Sequence, residues 1–434
     1  MLTKFNYIYK MKSKSIQLAI CVIASLCGCS KPVSVQSVTT GGKDSVAGKN
    51  LTSYSLGSVT TIVHPGMLHS AADFARMTAK VNAGAQPWLD GWNKLVANGH
   101  SSATYVPRPV DTIVRGKAAS GKGENYILAC QDAAAAYQNA LRWKIKGDTA
   151  CGNNAVAIMN AWAAKCKLID GDSNKQLAAG LQGYQWANAA EIMRSYSGWS
   201  ATDFTAFKNF MLNVYYPVSS DFLARHNNTC GTHYWLNWDM SNLCTVLAIG
   251  ILCDDISKVN YAINYYQHSG VGTAYIGRVT TATYPNGMDQ AQEAGRDQGH
   301  ATMEVPLFGT FCQMLYNQGQ NFFDYNPWNH VNPPLLGVSE YIAAYNINTT
   351  NTVPYTTYNN CENSNQTVIS SGGRGNVRPG WELVYNYYVK VKGKTATYTT
   401  QFATKVRPEG GGGDYGGNSG GYDQLGFGTL TFSR

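Results

Sequence analysis

The sequence predicts an all-α fold, an incomplete α/α toroid or barrel of helical hairpins followed by a short irregular, partly β C-terminal appendage. Apolar residues recur at a period near 3.6 from Met67 to Tyr345. The segments between these runs are short and rich in Gly, Asn, Asp and Ser, so neighbouring helices can lie antiparallel. Neither a strand-helix alternation nor a repeat of fixed length is present, which disfavours doubly wound sheets and solenoids.

In chain order, Leu68, Ala71, Phe74 and Met77 open the helical pattern, which breaks at Gln86-Pro87 and resumes with Trp88, Trp92 and Leu95. Helices are then expected at Ile127 to Trp143, Asn154 to Cys166, Leu177 to Ser195, Ala201 to Val214, Trp235 to Leu252 and Ile256 to His268. Met303 to Asn317 and Pro334 to Tyr345 add two more. Beyond Tyr345 an Asn/Thr-rich coil leads to two β-leaning stretches, Glu382 to Lys390 and Thr395 to Thr404, and then to a Gly-rich tail around Gly410 to Gly421. That tail has too few apolar residues for a core of its own, so residues 61–434 read as one domain with a folded-back end.

The N-terminus reads as an export signal. Lys12 and Lys14 precede an apolar run, Ile16 to Leu26, which is too short to span a bilayer as a helix. Leu26-Cys27-Gly28-Cys29 resembles a bacterial lipoprotein cleavage box, which implies a signal over residues 1–28, lipidation of Cys29 and a polar tether over residues 29–60. The expected location is the bacterial envelope, with membrane contact through the lipid alone. Removing Met1 to Gly28 takes away four lysines and no acid, so the formal charge falls from +8 to +4. A mild positive balance without Lys/Arg runs suits an acidic polymer and argues against nucleic acid. Cys130, Cys151, Cys166, Cys230, Cys244, Cys253, Cys312 and Cys361 remain, an even set that permits disulfides without fixing their pairing. None has zinc-ligand spacing, and no metal or other cofactor is expected.

Two polar runs stand out. In Thr232 to Asn242, helical spacing would put His233, Asn237 and Ser241 on one face beside Tyr234 and Trp238. In Pro285 to His300 a turn is expected to lead into a helix on which Glu293, Arg296 and His300 share a face. Arg, His and Asn gathered at one cleft suit a substrate with a carboxylate, because the donors neutralise the acid while a His or Tyr moves a proton at the adjacent carbon. The plainer reading has Glu293 and Arg296 as a simple ion pair, with Asp239 and Asp297 tying loops.

These residues also carry a family resemblance. Tyr234-Trp235-Leu236-Asn237-Trp238 is similar to the Tyr-Trp-x-x-Trp segment of toroidal alginate lyases, and Asn237-Trp238-Asp239 to a run in hyaluronate and chondroitin lyases. Glu293-Ala-Gly-Arg296-Asp297-Gln298-Gly-His300, Arg378-Pro-Gly-Trp381-Glu382 and Arg407-Pro-Glu409 to Asp414-Tyr415 resemble polysaccharide lyase family 38 of that superfamily. The likeness runs from about Met67 to the C-terminal end. One departure is that Gly231-Thr232 stand where better-known alginate lyases have Asn-His, with His233 one position out of step.

The resemblance implies β-elimination on alginate, glucuronan or a similar polyuronate by a monomer without a redox cofactor. It implies Asn237 and Arg296 as carboxylate-neutralising donors, His300 as base with His233 second, and Tyr284 as acid with Tyr234 and Tyr415 open. Tyr184, Gln185, Asn188, Tyr234, Trp235, Trp238, Glu293 and Tyr415 are expected to bind sugar. Two rival functions share parts of this pattern: a glycan-binding lipoprotein needs the aromatics without a base, and an α/α-barrel glycoside hydrolase needs two carboxylates.

Overall fold

A computed structural model describes residues 56–363, 365–416 and 421–434. The expected signal, Cys29 and nearly all of the tether lie outside the described residues. The domain begins no later than Val59, which is buried and exchanges two backbone hydrogen bonds with the Asn260 side chain.

Helices α1 (Ala71–Asn82) and α2 (Trp88–Ala97) lead, through a short strand β1 (Thr112–Arg115), into the hairpin of α3 (Tyr126–Lys146) and α4 (Thr149–Lys165). Strand β2 (Leu168–Gly171) pairs in parallel with β1 and fixes where Arg115 emerges. Then come α5 (Asn174–Met193), α6 (Ala201–Phe210), α7 (Tyr216–Arg225), α8 (Leu236–Leu252) and α9 (Ile256–His268). An antiparallel hairpin of β3 (Thr280–Thr283) and β4 (Asp289–Ala291) precedes α10 (Gln298–Asn317) and α11 (Pro334–Asn346). Among the described residues no helix is long and apolar enough to cross a membrane.

The inner helices are α5, α8 and α10, each buried along nearly its whole length, polar side chains included. A helix buried all round has no amphipathic stripe, which is why these three carry apolar and polar residues on every face rather than on one. Small residues let α5 and α8 come close: a Cβ at Gly180 would meet the Asn242 backbone nitrogen at 2.8 Å, and Thr245 Oγ1 donates to the Gly180 carbonyl at 2.8 Å. The expected helical architecture is the one observed, with the paired polar runs at its centre.

Helix α7 and the short strands β1 to β4 were not expected, and two stretches after Trp381 take a form other than the expected one. The β-leaning residues after Trp381 form α12 (Trp381–Tyr385) and a continuing wide turn over Asn386–Val391, and the next stretch forms α13 (Thr397–Val406). Thr399, Phe402, Ala403 and Val406 are buried at helical offsets, and that burial outweighs the local preference of Tyr, Val and Thr for strands. β structure after Tyr345 is confined, among the described residues, to the two-residue strands β5 (Tyr358–Asn359) and β6 (Asn365–Gln366) and an isolated bridge, Gly411 to Gly426.

The tail is held by buried carboxylates. Arg407 donates to both oxygens of Glu382 at 2.6 and 2.9 Å, while Glu409 accepts from the Gly428 and Glu382 backbone N–H groups. Helix α14 (Gly428–Thr431) then seats Leu430 against Gly91 of α2. Burial, followed by the negative charge of Glu382, pushes the Glu409 carboxyl up to about 7 despite those N–H donors. Because the folded state holds this proton more tightly than an unfolded Glu near 4.5, the contribution is complete below that pH and is lost as pH rises through 7. Urea unfolding at pH 5 and pH 8 should show lower stability at pH 8, with a contribution on the order of 3 kcal/mol from this group. That increment should vanish in Glu409→Gln.

Candidate active site

The N-terminus of α8 meets the turn between β4 and α10. Trp235, the residue before α8, offers no capping side chain, and the turn supplies the acceptors instead. Gln292 Oε1 accepts the Leu236 N–H at 2.9 Å and Glu293 Oε1 accepts the Asn237 N–H at 2.9 Å. Glu293 Oε2 takes the Asn237 amide at 3.2 Å and Arg296 Nη1 at 2.9 Å. The Glu293 N–H donates in turn to Glu304 Oε1 of α10 at 2.5 Å. Burial, and then the nearby Glu293 carboxyl group, raise the Glu304 carboxyl well above the usual range, so it sits neutral.

The network continues toward open space. Arg296 lies with its guanidinium 5.4 Å from the Trp235 ring centre and its Nε 3.8 Å from Asp297 Oδ2. Asp297 caps α10 by accepting the His300 N–H at 2.8 Å, and its Oδ2 also engages His300 Nδ1 at 2.6 Å. Burial alone would raise the Asp297 carboxyl, but the contacts from His300 and the nearby Arg296 hold it below its ordinary value. An ionised Asp297 keeps the proton of a neutral His300 on Nδ1 and leaves Nε2 with its lone pair.

His300 and Asp297 line a cavity of about 540 Å³. Its other walls include Arg115, Tyr126 at the start of α3, Asn376, Arg378 and Asp423 from the tail. Arg378 is fixed by Asp423 at 2.8 Å and the Gly299 carbonyl at 2.8 Å, and Arg115 stands over the Tyr126 ring at 4.5 Å. Two guanidiniums beside a histidine make this a place for an acidic ligand, and Tyr126 brings a hydroxyl-bearing ring to the same wall. Among the described residues no group of three His, Cys, Asp or Glu side chains is arranged to hold a metal.

Asn237, Glu293, Arg296 and His300 therefore form one connected chain, in an arrangement that differs from a shared helix face. Residues 292–296 are a turn, and α10 starts only at Gln298. Likewise α8 starts at Leu236, so His233 precedes it in a loop and shares no face with Asn237 and Ser241. The cause is capping: Asp297 ends the turn, and Gln292 and Glu293 end the loop. His233 Nδ1 pairs with Glu362 at 2.9 Å, beside a disulfide between Cys230 and Cys361 that ties the two loops. Asn237, expected to meet the substrate carboxylate, is fully enclosed and gives its amide to Glu293.

Tyr284 lies outside this cavity, its hydroxyl donating to Gln290 at 2.7 Å. Tyr184, Gln185 and Asn188 are buried and bond backbone instead: Tyr184 donates to the Asp423 carbonyl, Gln185 to the Tyr422 carbonyl, and Asn188 accepts the Leu68 N–H. Tyr415 accepts the Gly410 N–H at 2.9 Å and shapes the glycine-rich turn. Tyr234 and Trp238 pack together at 5.0 Å and with Phe222, a half-buried aromatic shelf next to His233. Arg115, Tyr126, Asn376 and Asp423 escaped the sequence reading because they come from parts of the chain far from the two polar runs. The Asp-x-x-His spacing of Asp297 and His300 was the one available signal of an oriented base.

The alginate lyase family model matches residues 91–333, more than half of the chain and all of the network around Asn237, Arg296 and His300. The chain belongs to the alginate lyase family. It is thereby a polysaccharide lyase, and the helical toroid is the fold of its structural neighbours. Alginate lyase A1-III from Sphingomonas species A1 shares 12% identity over 86% of this chain and 98% of that one, with a TM-score of 0.56. An alginate lyase from Bacteroides ovatus shares 12% over 79% and 96%, with a TM-score of 0.51. A variant of alginate lyase A1-III complexed with a tetrasaccharide shares 11% over 86% and 97%, with a TM-score of 0.55. No curated protein sequence matches the lyase significantly.

Removing the Glu293 carboxylate should leave Arg296 and the Asn237 amide without their shared partner. Glu293→Ala is expected to destabilise the lyase by about 3–5 kcal/mol in chemical unfolding, the cost of breaking a buried ion pair from one side. Glu293→Gln, which keeps an acceptor for the α8 N-terminus, should lose less.

Proposed function

We propose that this polysaccharide lyase cleaves alginate or a related polyuronate at the cavity bounded by His300, Tyr126, Arg115 and Arg378. The observation that carries this reading is the Asp297 to His300 contact at 2.6 Å, which prepares Nε2 as a base beside paired guanidiniums. The chemical obstacle is the C5 proton of a uronate, since the adjacent carboxylate resists further negative charge. Arg115, Arg378 and, from the flank, Arg296 are the cations that offset it. His300 Nε2 takes the C5 proton, and the C–H electron pair becomes the C4–C5 double bond as the C4–O4 bond breaks. The departing O4 receives a proton from the Tyr126 hydroxyl, which takes the acid role expected of Tyr284 because its side chain lines the cavity.

The tetrasaccharide bound by a structural neighbour supports an oligosaccharide as ligand. The mild positive charge supports an acidic one. Lipidation at Cys29, an envelope location and action as a monomer complete the proposal, on the strength of the N-terminal pattern and of a site assembled within one chain.

Incubation of the mature chain with alginate and with glucuronan should raise near-ultraviolet absorbance as unsaturated ends form. No rise on any polyuronate, or cleavage to saturated ends, refutes the lyase assignment for these substrates. His300→Ala should lower kcat by about 10²–10⁴. Asp297→Asn should also lower kcat, because it changes which ring nitrogen carries the proton.

A further inference from the structure

A second cavity, of about 320 Å³, shares no lining residue with the first. It lies between the first turns of α1, the C-terminal half of α10 and the wide turn after α12, with Phe432 and Arg434 closing one side. Its volume is near the lower end of the roughly 300–1,000 Å³ of small-molecule sites, enough for one sugar ring and too little for a polymer.

The lining chemistry is specific. Arg76 and Arg434 both donate to the same oxygen of Asp73, at 2.7 and 2.8 Å, and the other Asp73 oxygen is taken by Ser70. Arg76 Nη2 also donates to the Thr431 carbonyl at 3.1 Å, and the two guanidiniums still keep unfilled donors, among them the buried Arg76 Nε. Gln313, only 4% exposed, lines the cavity from α10, and its Nε2 has no partner among the described residues. Buried polar groups are ordinarily paired, so an orphan amide beside two cations points to an acceptor that belongs there. Tyr316, Tyr387 and Phe432 add ring surfaces against which the C–H face of a sugar can lie.

We propose that this cavity is a second binding site, for a single free uronate or a sugar-sized carboxylate of the same kind. The guanidiniums take the carboxylate, the Gln313 amide takes a ring hydroxyl or carboxylate oxygen, and the aromatic walls take the ring. The proposal does not rest on lyase activity, since a monosaccharide has no glycosidic bond to cleave.

The test is calorimetric titration of the full chain with glucuronate, with glucose as the neutral counterpart. Glucuronate should bind one to one, weaken as salt is raised, and exceed glucose in affinity by at least tenfold. Ala72→Trp fills the cavity from an exposed position on α1, and Gln313→Leu removes the amide; each should weaken binding by at least tenfold, while His300→Ala should not. The exposed site makes Ala72→Trp the variant that must fold, and its melting temperature should match that of the parent chain. Absence of glucuronate binding, equal affinity for glucose, or binding lost in His300→Ala but kept in Ala72→Trp overturns the proposal. These results are independent of whether polyuronates are cleaved.

Discussion

A carboxylate taken out of water persists only if its lone pairs are filled, and Glu293 fills them with the parts that build the site. It accepts the backbone N–H and side-chain amide of Asn237 at the N-terminus of α8, where the helix dipole favours a negative charge, and it accepts Arg296 from its own turn. Its own N–H reaches Glu304 on α10. One buried group thus fixes two inner helices and the turn between them. Burial first, and then the neighbouring Glu293 carboxyl group, raise Glu304 well above its ordinary range, so it stays neutral.

This anchoring explains a division of labour among polar residues that look alike in the chain. Asn237 and Glu293 are enclosed and set positions, whereas Arg296 is partly open and His300 borders the cavity. Asp297 lies between the two groups, near the Arg296 guanidinium on one side and bonded to the imidazole on the other. A comparable buried set supports α8 from the opposite side: Asp239 accepts His226, the Tyr265 hydroxyl and the Ala274 N–H. The rigidity of the α8 N-terminus therefore comes from acceptors brought from elsewhere, since Trp235 cannot cap it.

The tail plays the matching role on the far wall. Its buried Glu409, together with Glu382 of α12, holds the end of the chain against α12, and the same segment delivers Asp423 to Arg378. The glycine-rich stretch that reads as a folded-back end is thus, over its described residues, joined to the wall of the cavity.

Hydrophobic period determined that this chain is helical and where most of its helices lie, because burial of a helix face repeats every 3.6 residues wherever it occurs. Family motifs carried the lyase assignment. Tertiary structure decided the rest. Whether Asn237 faces substrate or a buried Glu depends on where Glu293 arrives, fifty-six residues later. Whether Tyr126 or Tyr284 reaches the cavity depends on the packing of α3 beside α5, which no local pattern encodes. The β-leaning residues after Trp381 became helical for the same reason: their apolar faces found a core at helical offsets, and the free energy of that burial exceeds a strand preference of about 1 kcal/mol or less per residue.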